Sequence, residues 1–107
     1  MSNVSVIIPV YNRPKEVEEL LQSLAKQTYK DFEIVIVEDG SILTSESVCK
    51  AYETKLNIQY FFKTNSGPGS TRNYGMEKST GDFFVIVDSD CIVAPHYMQT
   101  LHQYLEN

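Results

Sequence analysis

The stretch that decides the fold is an apolar run that ends in two acidic residues, Phe83-Phe84-Val85-Ile86-Val87-Asp88-Ser89-Asp90. Because aromatic and β-branched residues follow one another without polar alternation, the run predicts a strand that is buried on both faces. Asp88 and Asp90 then stand at the carboxyl end of this strand. In extended backbone, side chains two residues apart project to the same side, so the two carboxylates would share one side.

Two carboxylates on one side repel each other, by roughly 4 kcal/mol at about 4 Å and an effective dielectric constant of about 20. A divalent cation would remove this repulsion, since Mg²⁺ is usually held by one or two carboxylates together with substrate phosphates. The other interpretation is that one carboxylate caps the next helix and the other lies in water. An Asp-x-Asp motif by itself does not decide between the two interpretations.

Composition places the chain among ordinary globular proteins. It has 107 residues, of which 42% are hydrophobic and 21% charged, and this predicts a single domain over residues 1–107. The formal net charge of -5 argues against a general nucleic-acid-binding surface. Cys49 and Cys91 fall outside any Cys-x-x-Cys spacing, which favours small buried residues in a reducing compartment. We see no secretory signal and expect a cytoplasmic location, with peripheral attachment at the inner membrane face left open.

Strand-like and helix-like segments alternate along the chain. We predict strands at residues 4–9, 32–37, 57–62 and 83–87, with Pro9 ending the pairing of the first because proline lacks an N–H. We predict helices that begin at Pro14, at about residue 44, at Thr71 and at Pro95, the second of them ending near Leu56. This order predicts an α/β fold, a Rossmann-like open sheet of about four parallel strands with helices on both faces.

Gly75 lies inside the third predicted helix. A glycine there costs about 1 kcal/mol relative to alanine, so we interpret it as a place where another backbone or side chain comes close. The alternative is a weakness that the helix simply tolerates.

The functional site is expected at the carboxyl ends of the strands, because ligands of open parallel sheets bind there, where the strand order reverses. That edge collects an aromatic ring, carboxylates, a glycine-containing turn at residues 65–70 and one cation. The residues that we assign to it are Pro9, Tyr11, Asp39, Arg72, Asp88 and Asp90. A nucleoside diphosphate bound with a divalent metal uses all of these groups.

Other nucleotide-binding folds fit less well. The first strand is not followed by the G-x-G-x-x-G pattern of dinucleotide-binding enzymes, and no G-x-x-x-x-G-K-[ST] phosphate loop occurs. A receiver domain is expected to place acidic residues directly after its first strand, where this chain has Pro9-Val10-Tyr11.

Five ordered blocks of the sequence resemble the N-terminal, nucleotide-sugar-binding half of the family 2 glycosyltransferases, which have the GT-A fold. The blocks are 5–12, 27–34, 37–41, 65–75 and 81–90, and Pro95 follows at the expected distance. The resemblance covers about residues 4–105 and implies a donor site for a nucleoside-diphosphate sugar, usually a UDP-sugar. It implies that Pro9 and Tyr11 line the pocket of the base, that Asp39 accepts from the base, and that Arg72 approaches the nucleotide.

The resemblance also implies a metal site. Asp88 would contact the ribose or a water of the metal, and Asp90 would hold Mg²⁺ or Mn²⁺. The family reaction is an inverting transfer, in which an acceptor hydroxyl attacks the anomeric carbon while the metal neutralises the departing diphosphate. Two positions depart from the pattern: Glu38 stands where the family often has Asp, and Cys91 where many members carry a further Asp.

Complete members of the family carry a second half that supplies the catalytic base and acceptor-binding elements. We therefore assign no catalytic residue within residues 1–107, interpret the chain as a truncated GT-A enzyme, and expect donor binding with little or no sugar transfer. A non-catalytic nucleotide-sugar-binding or association module is the alternative, and a phosphate-binding receiver-like domain is a third possibility. An uncovered sheet edge would favour a homo-oligomer. The sequence specifies neither the donor sugar nor the acceptor, which could be a glycan or a lipid-linked molecule.

Overall fold

Strands and helices alternate along the chain as the hydrophobic pattern predicts. The computed structural model describes residues 3–106. Its elements in chain order are β1 (Val4–Val10), α1 (Pro14–Ala25), β2 (Phe32–Asp39), α2 (Glu46–Tyr52), β3 (Asn57–Lys63), α3 (Pro68–Lys78), β4 (Phe83–Ile86) and α4 (Tyr97–Glu106).

The strands form one sheet in the order β3-β2-β1-β4, and every neighbouring pair is parallel. This confirms the predicted four-stranded parallel sheet. The chain moves outward from β1 to β3 and then returns to the other side of β1 for β4, so the strand order reverses between β1 and β4. The register pairs Val10 with Glu38, Asp39 with Lys63 and Ile7 with Ile86. The residues that follow these pairs emerge together at one edge of the sheet.

Helices cover both faces of the sheet. On one face, the main apolar core joins the inward side chains of β1 and β2 to α1, α2 and α4. The stripe of α1, made by Val17, Leu20, Leu21 and Leu24, is fully buried there because its spacing presents one apolar side to the sheet. On the other face, a smaller core around Ile7 packs against α3.

Gly75 lies where α3 meets β1 on this second face. A Cβ atom at Gly75 would stand 2.6 Å from Cγ2 of Ile7, which is far inside van der Waals contact. The close approach inferred from the sequence is therefore present: the missing side chain lets α3 pack directly on the central strands.

The edge strand β4 is not buried on both faces, so that prediction is wrong. Phe83, Phe84 and Ile86 are 41%, 47% and 40% exposed. β4 has β1 as its neighbour on one side only, and α3 packs over β1 and β2 without covering it. The unbroken apolar run correctly predicted a strand, but it did not reveal that this strand lies at the edge of the sheet.

β1 does not end at Pro9, which also corrects a prediction. The strand runs to Val10, and Pro9 is paired with Val37 of β2. The carbonyl of Ile7 accepts from the Val87 amide at 3.0 Å, on the side of β4. Backbone groups two residues apart face the same neighbour, so the N–H that Pro9 lacks would also face β4. Proline therefore ends the pairing with β4 and leaves the pairing with β2 intact.

Three helices have boundaries that differ from the predicted ones. α2 is shorter than 44–56, because the amides of Lys55 and Leu56 both turn back to the carbonyl of Tyr52. α3 begins earlier, at Pro68, since a proline in the first turn loses no helical hydrogen bond. α4 begins at Tyr97 and not at Pro95, whose carbonyl accepts from the Thr28 amide at 3.0 Å. Within the part of the chain that the structure describes, none of the helices has the length and apolar character needed to cross a bilayer.

Candidate functional site

A cleft of about 530 Å³ opens at the carboxyl edge of the sheet, beside the point where the strand order reverses. All six residues assigned to the site from the sequence line it: Pro9, Tyr11, Asp39, Arg72, Asp88 and Asp90. They come from the ends of β1 and β2, the start of α3 and the segment after β4. The parallel arrangement of the strands brings these separate segments together.

One wall of the cleft is formed by the segment that leaves β1. Tyr11 is 54% exposed although it is a large aromatic residue, and its neighbour Val10 is buried. A ring held at the end of a buried strand and open to the cleft offers a flat apolar surface to a ligand. Arg13 lines the same part of the cleft.

The floor of the cleft includes the carboxylate of Asp39, which is 6% exposed. Its Oδ1 accepts from the Ser66 amide at 2.8 Å and from Lys63 Nζ at 3.2 Å, and its Oδ2 accepts from the Gly67 amide at 3.1 Å. Burial alone would raise the pKa of Asp39, but these hydrogen bonds outweigh burial and lower it. The group is therefore a charged acceptor at neutral pH.

Asp39 also anchors the glycine-containing turn that opens α3. Gly67 has φ of 97°, a conformation that glycine adopts readily, and its carbonyl accepts from the Thr71 amide and hydroxyl at 3.1 and 2.7 Å. Asn65 packs on Gly40, where a Cβ atom would lie 2.7 Å from the Asn65 nitrogen. These contacts fix the first turn of α3 at the cleft, and Arg72 directly follows that turn.

Asp88 and Asp90 lie beyond the end of β4, in a turn closed by the Cys91 amide and the Asp88 carbonyl at 3.1 Å. The prediction that an extended strand sets their common direction is therefore wrong. Burial nevertheless alternates here: Val87 and Ser89 point inward, whereas both carboxylates are exposed and line the cleft. The two buried side chains hold the turn so that the spacing of two still places the carboxylates together.

The acidic turn has the donor atoms of a divalent-cation site. One ligand atom each from Asp88, Asp90 and Cys91 lies within 4.8 Å of the other two. Carboxylate oxygens are the donors that suit Mg²⁺ and Mn²⁺, whereas a thiol suits softer ions. The two aspartates therefore fit a hard cation, and Cys91 is the member of the group that does not.

The cleft also contains residues that sequence reasoning missed. The most informative are Arg13 and Thr71, which line the cleft, and Lys63, which pairs with Asp39 from β3. Arg13 follows Tyr11 by two residues at a strand end, so a search for cations near strand ends could have found it. Lys63 is the last residue of β3, so the same search could have found it, but its contact with Asp39 depends on the pairing of β3 with β2.

Comparison with known proteins agrees with this geometry. The family model described as glycosyl transferase family 2 matches residues 5–107. An uncharacterized glycosyltransferase of Rickettsia bellii is 36% identical over 105 residues, which is 98% of this chain and 15% of that protein. The chain spans between 14% and 35% of the length of the curated relatives it matches.

Two solved structures are similar over most of the chain. TarS 1–349 of S. aureus in complex with UDP-GlcNAc has a TM-score of 0.91 and 36% identity, covering 97% of this chain and 31% of that one. A mannosyltransferase of Pyrobaculum calidifontis in complex with GDP-Man and Mn²⁺ has a TM-score of 0.75 and 28% identity, covering 81% of this chain and 27% of that one. The fold is that of the GT-A glycosyltransferases, and the chain belongs to glycosyltransferase family 2.

Proposed function

We propose that this chain binds a nucleoside-diphosphate sugar together with a divalent cation, and that it forms the donor-binding part of a glycosyltransferase. The observation that carries the proposal is the single cleft that gathers Tyr11, Asp39, Arg72 and the Asp88–Asp90 turn from four separate segments. These groups match the parts of such a ligand. The aromatic surface and the buried charged acceptor suit the base, the cationic side chain suits the diphosphate, and the two exposed carboxylates suit the metal.

The base is proposed to lie against Tyr11 and Pro9. Asp39 is charged and accepts the Gly67 amide through Oδ2, and a carboxylate oxygen can take a second donor. An N–H on the edge of a base such as uracil is a donor of this kind. Similar structures with UDP and with UDP-GlcNAc support a UDP-sugar as the first donor to test.

The diphosphate is proposed to lie between Arg72 and the acidic turn. Arg72 is the fifth residue of α3, just beyond the first turn, and the helix dipole near this end also favours negative charge. Asp90 would hold Mg²⁺ or Mn²⁺, and Asp88 would contact the ribose or a water on the metal. The metal, when bound, supplies positive charge to the departing diphosphate. The similar structure with GDP-Man and Mn²⁺ supports a metal-dependent donor site.

Transfer itself would be inverting, with an acceptor hydroxyl attacking the anomeric carbon. We assign the catalytic base to no residue of this chain, so the isolated chain is proposed to bind the donor and to transfer sugar poorly. The exposed apolar side chains of β4 favour a second candidate, an association module or homo-oligomer that uses this edge. The single-domain organisation and the cytoplasmic location stay predictions, and we further propose a role in polysaccharide biosynthesis.

The experiment that tests the proposal is calorimetric titration of UDP into the chain with Mn²⁺ and, separately, with EDTA. We expect binding that needs the metal and that Asp90→Asn weakens at least tenfold, because one carboxylate ligand is lost. Asp82→Asn is the matched control: Asp82 is also exposed but precedes β4 at its opposite end, so this variant should bind like the parent.

Binding that is equal in EDTA would contradict the metal role of the acidic turn. Circular dichroism and thermal unfolding establish whether the chain is folded. If a folded chain binds no UDP under any condition, this result would contradict the donor-site proposal and favour the association module.

A further inference from the structure

We propose that Asn12 is a positioning residue that holds Tyr11 and Arg13 in the cleft, and that it is itself anchored to the buried carboxylate of Glu38 through the hydroxyl of Ser41. The inference rests on the proposed function, because it assigns what fixes the wall on which the base would lie.

Asn12 has an unusual backbone conformation. Its φ is 54°, and among residues 3–106 no other residue except glycine has a positive φ. This left-handed region is strained for an L residue, and asparagine is among the few that tolerate it. The turn makes the chain change direction directly between Tyr11 and Arg13, and both of these residues line the cleft.

The side chain and backbone of Asn12 connect this turn to the loop after β2. Its Oδ1 accepts from the amides of Ile42 and Leu43 at 2.8 and 3.1 Å, and its own amide donates to Ser41 Oγ at 2.9 Å. These partners lie 29 to 31 residues away along the chain. Asn12 therefore does more than form a local turn: it joins the exit of β1 to the exit of β2.

Glu38 fixes the other end of the connection. Its side chain is fully buried, and it accepts from the Ser41 hydroxyl and from both the amide and the hydroxyl of Ser45. The Tyr60 hydroxyl of β3 is a further partner. Glu38 is held in place because β2 lies inside the sheet. The Ser41 hydroxyl donates to Glu38 and accepts from the backbone amide of Asn12, so it connects Asn12 to this fixed carboxylate.

The connection predicts how substitutions at Asn12 should rank in nucleotide binding. Asn12→Gly keeps the left-handed conformation but loses Oδ1, so the Tyr11 wall becomes mobile, and we expect UDP affinity with Mn²⁺ to fall about tenfold. Asn12→Asp keeps an acceptor oxygen and should remain within about threefold of the parent. Asn57→Gly, at the opposite edge of the sheet, is the matched control and should leave the affinity unchanged.

The measurement is calorimetric titration of UDP with Mn²⁺, combined with hydrogen exchange of the Ile42 and Leu43 amides followed by NMR. We expect both amides to be protected in the parent and in Asn12→Asp, and to exchange faster in Asn12→Gly. Ser41→Ala is a second variant, which cuts the link to Glu38 while it retains Asn12, and it should also weaken UDP binding. Thermal unfolding of each variant shows that it is folded at the temperature of the titration.

Two results would overturn the inference. The first is a parent chain that binds UDP while Asn12→Gly and Ser41→Ala bind it equally well, which leaves the proposed function standing. The second is unchanged protection of the Ile42 and Leu43 amides in Asn12→Gly, a measurement that requires no nucleotide. A parent chain that binds no UDP but shows the predicted exchange pattern would instead contradict the proposed function and retain the Asn12 connection as structural.

Discussion

The strands β2 and β4 have opposite relations between polarity and burial. All eight residues of β2 are buried, including the carboxylates of Glu33, Glu38 and Asp39. β4 consists of four apolar residues, and three of them are exposed. Hydropathy alone would predict that β4 is more buried than β2. The burial of these two strands is therefore decided by their positions in the sheet.

The buried carboxylates of β2 are acceptable because each is surrounded by hydrogen-bond donors. Glu33 lies near the amino edge and accepts from Ser5 Oγ at 2.6 Å, Gln59 Nε2 at 2.5 Å and the Thr80 amide at 2.7 Å. Glu38 and Asp39 lie at the carboxyl edge, where Glu38 binds the loop after β2 and Asp39 binds the turn that lines the cleft. A buried charge without such partners would cost several kcal/mol.

This comparison shows what each strand contributes. The carboxylates of β2 bind loops at both edges of the sheet, and the loop bound by Asp39 lines the candidate site. β4 contributes the acidic turn at its end, while its own side chains remain partly open to solvent. The following predictions test whether the buried carboxylates of β2 contribute more to the stability of the fold than the apolar side chains of β4.

The largest effect is expected for Glu38→Ala. The substitution removes the acceptor of Ser41 and Ser45 inside a fully buried site, and each buried donor left without a partner costs about 1–3 kcal/mol. We expect the free energy of unfolding to fall by about 3–5 kcal/mol, measured by urea denaturation. Glu38→Gln retains one acceptor oxygen and should cost less than half as much. Equal stability of Glu38→Ala and the parent would mean that the carboxylate does not organise the loop.

A smaller effect, dependent on pH, is expected at Glu33. Burial would raise the pKa of Glu33, but the hydrogen bonds from Ser5, Thr80 and Gln59 outweigh burial and lower it below the ordinary value of 4.5. A carboxyl group whose pKa is lower in the folded state stabilises the protein above its unfolded pKa. That contribution is lost as the pH falls through the folded-state pKa.

Glu33→Gln should therefore lower the free energy of unfolding by about 1–3 kcal/mol at pH 7 and make its decline below about pH 4.5 shallower. Urea denaturation of parent and variant between pH 3 and pH 7 provides the test, within the range in which both are folded without urea. Parallel pH profiles would show that the carboxylate does not contribute through its charge. Asp39 should retain an acid dependence in both proteins, since its pKa is lowered in the same direction.

The smallest effect on stability is expected at the apolar edge. Ile86 and Ile7 are paired residues of β4 and β1, and they are 40% and 0% exposed, so Ile86→Thr and Ile7→Thr place the same change on either side of one pairing. We expect Ile86→Thr to lower the free energy of unfolding by less than about 1 kcal/mol and Ile7→Thr by about 2–4 kcal/mol.

Sedimentation equilibrium of the Ile86→Thr variant sharpens the same comparison. If the β4 edge mediates self-association, the variant should associate more weakly than the parent at equal concentration. Losses of stability that are equal for Ile86→Thr and Ile7→Thr would show that the edge strand is as much a part of the core as β1.

Much of the architecture could be predicted from the sequence because it depends on local patterns. The four apolar runs, the stripe of α1 and the glycine at position 75 each report short-range geometry, and each is found within two residues of where the pattern placed it. The edge position of β4 could not be predicted, since hydropathy records what a strand could bury and not which strands flank it. The start of α4 was missed because a distant residue is involved there: the Pro95 carbonyl accepts from the Thr28 amide.

The sequence by itself determined the chemistry of the candidate site: an aromatic ring, acidic residues at strand ends and a cation after a glycine turn. It also determined that these groups would share one edge, because parallel strands present their carboxyl ends together. Only the tertiary structure decided how each group is held. Asp39 gains its charge-stabilising partners from β3 and the turn after it, Asn12 is fixed by a loop about 30 residues away, and the acidic pair is oriented by a turn between buried side chains. Such long-range hydrogen bonds depend on which strands become neighbours, and no local pattern records that choice.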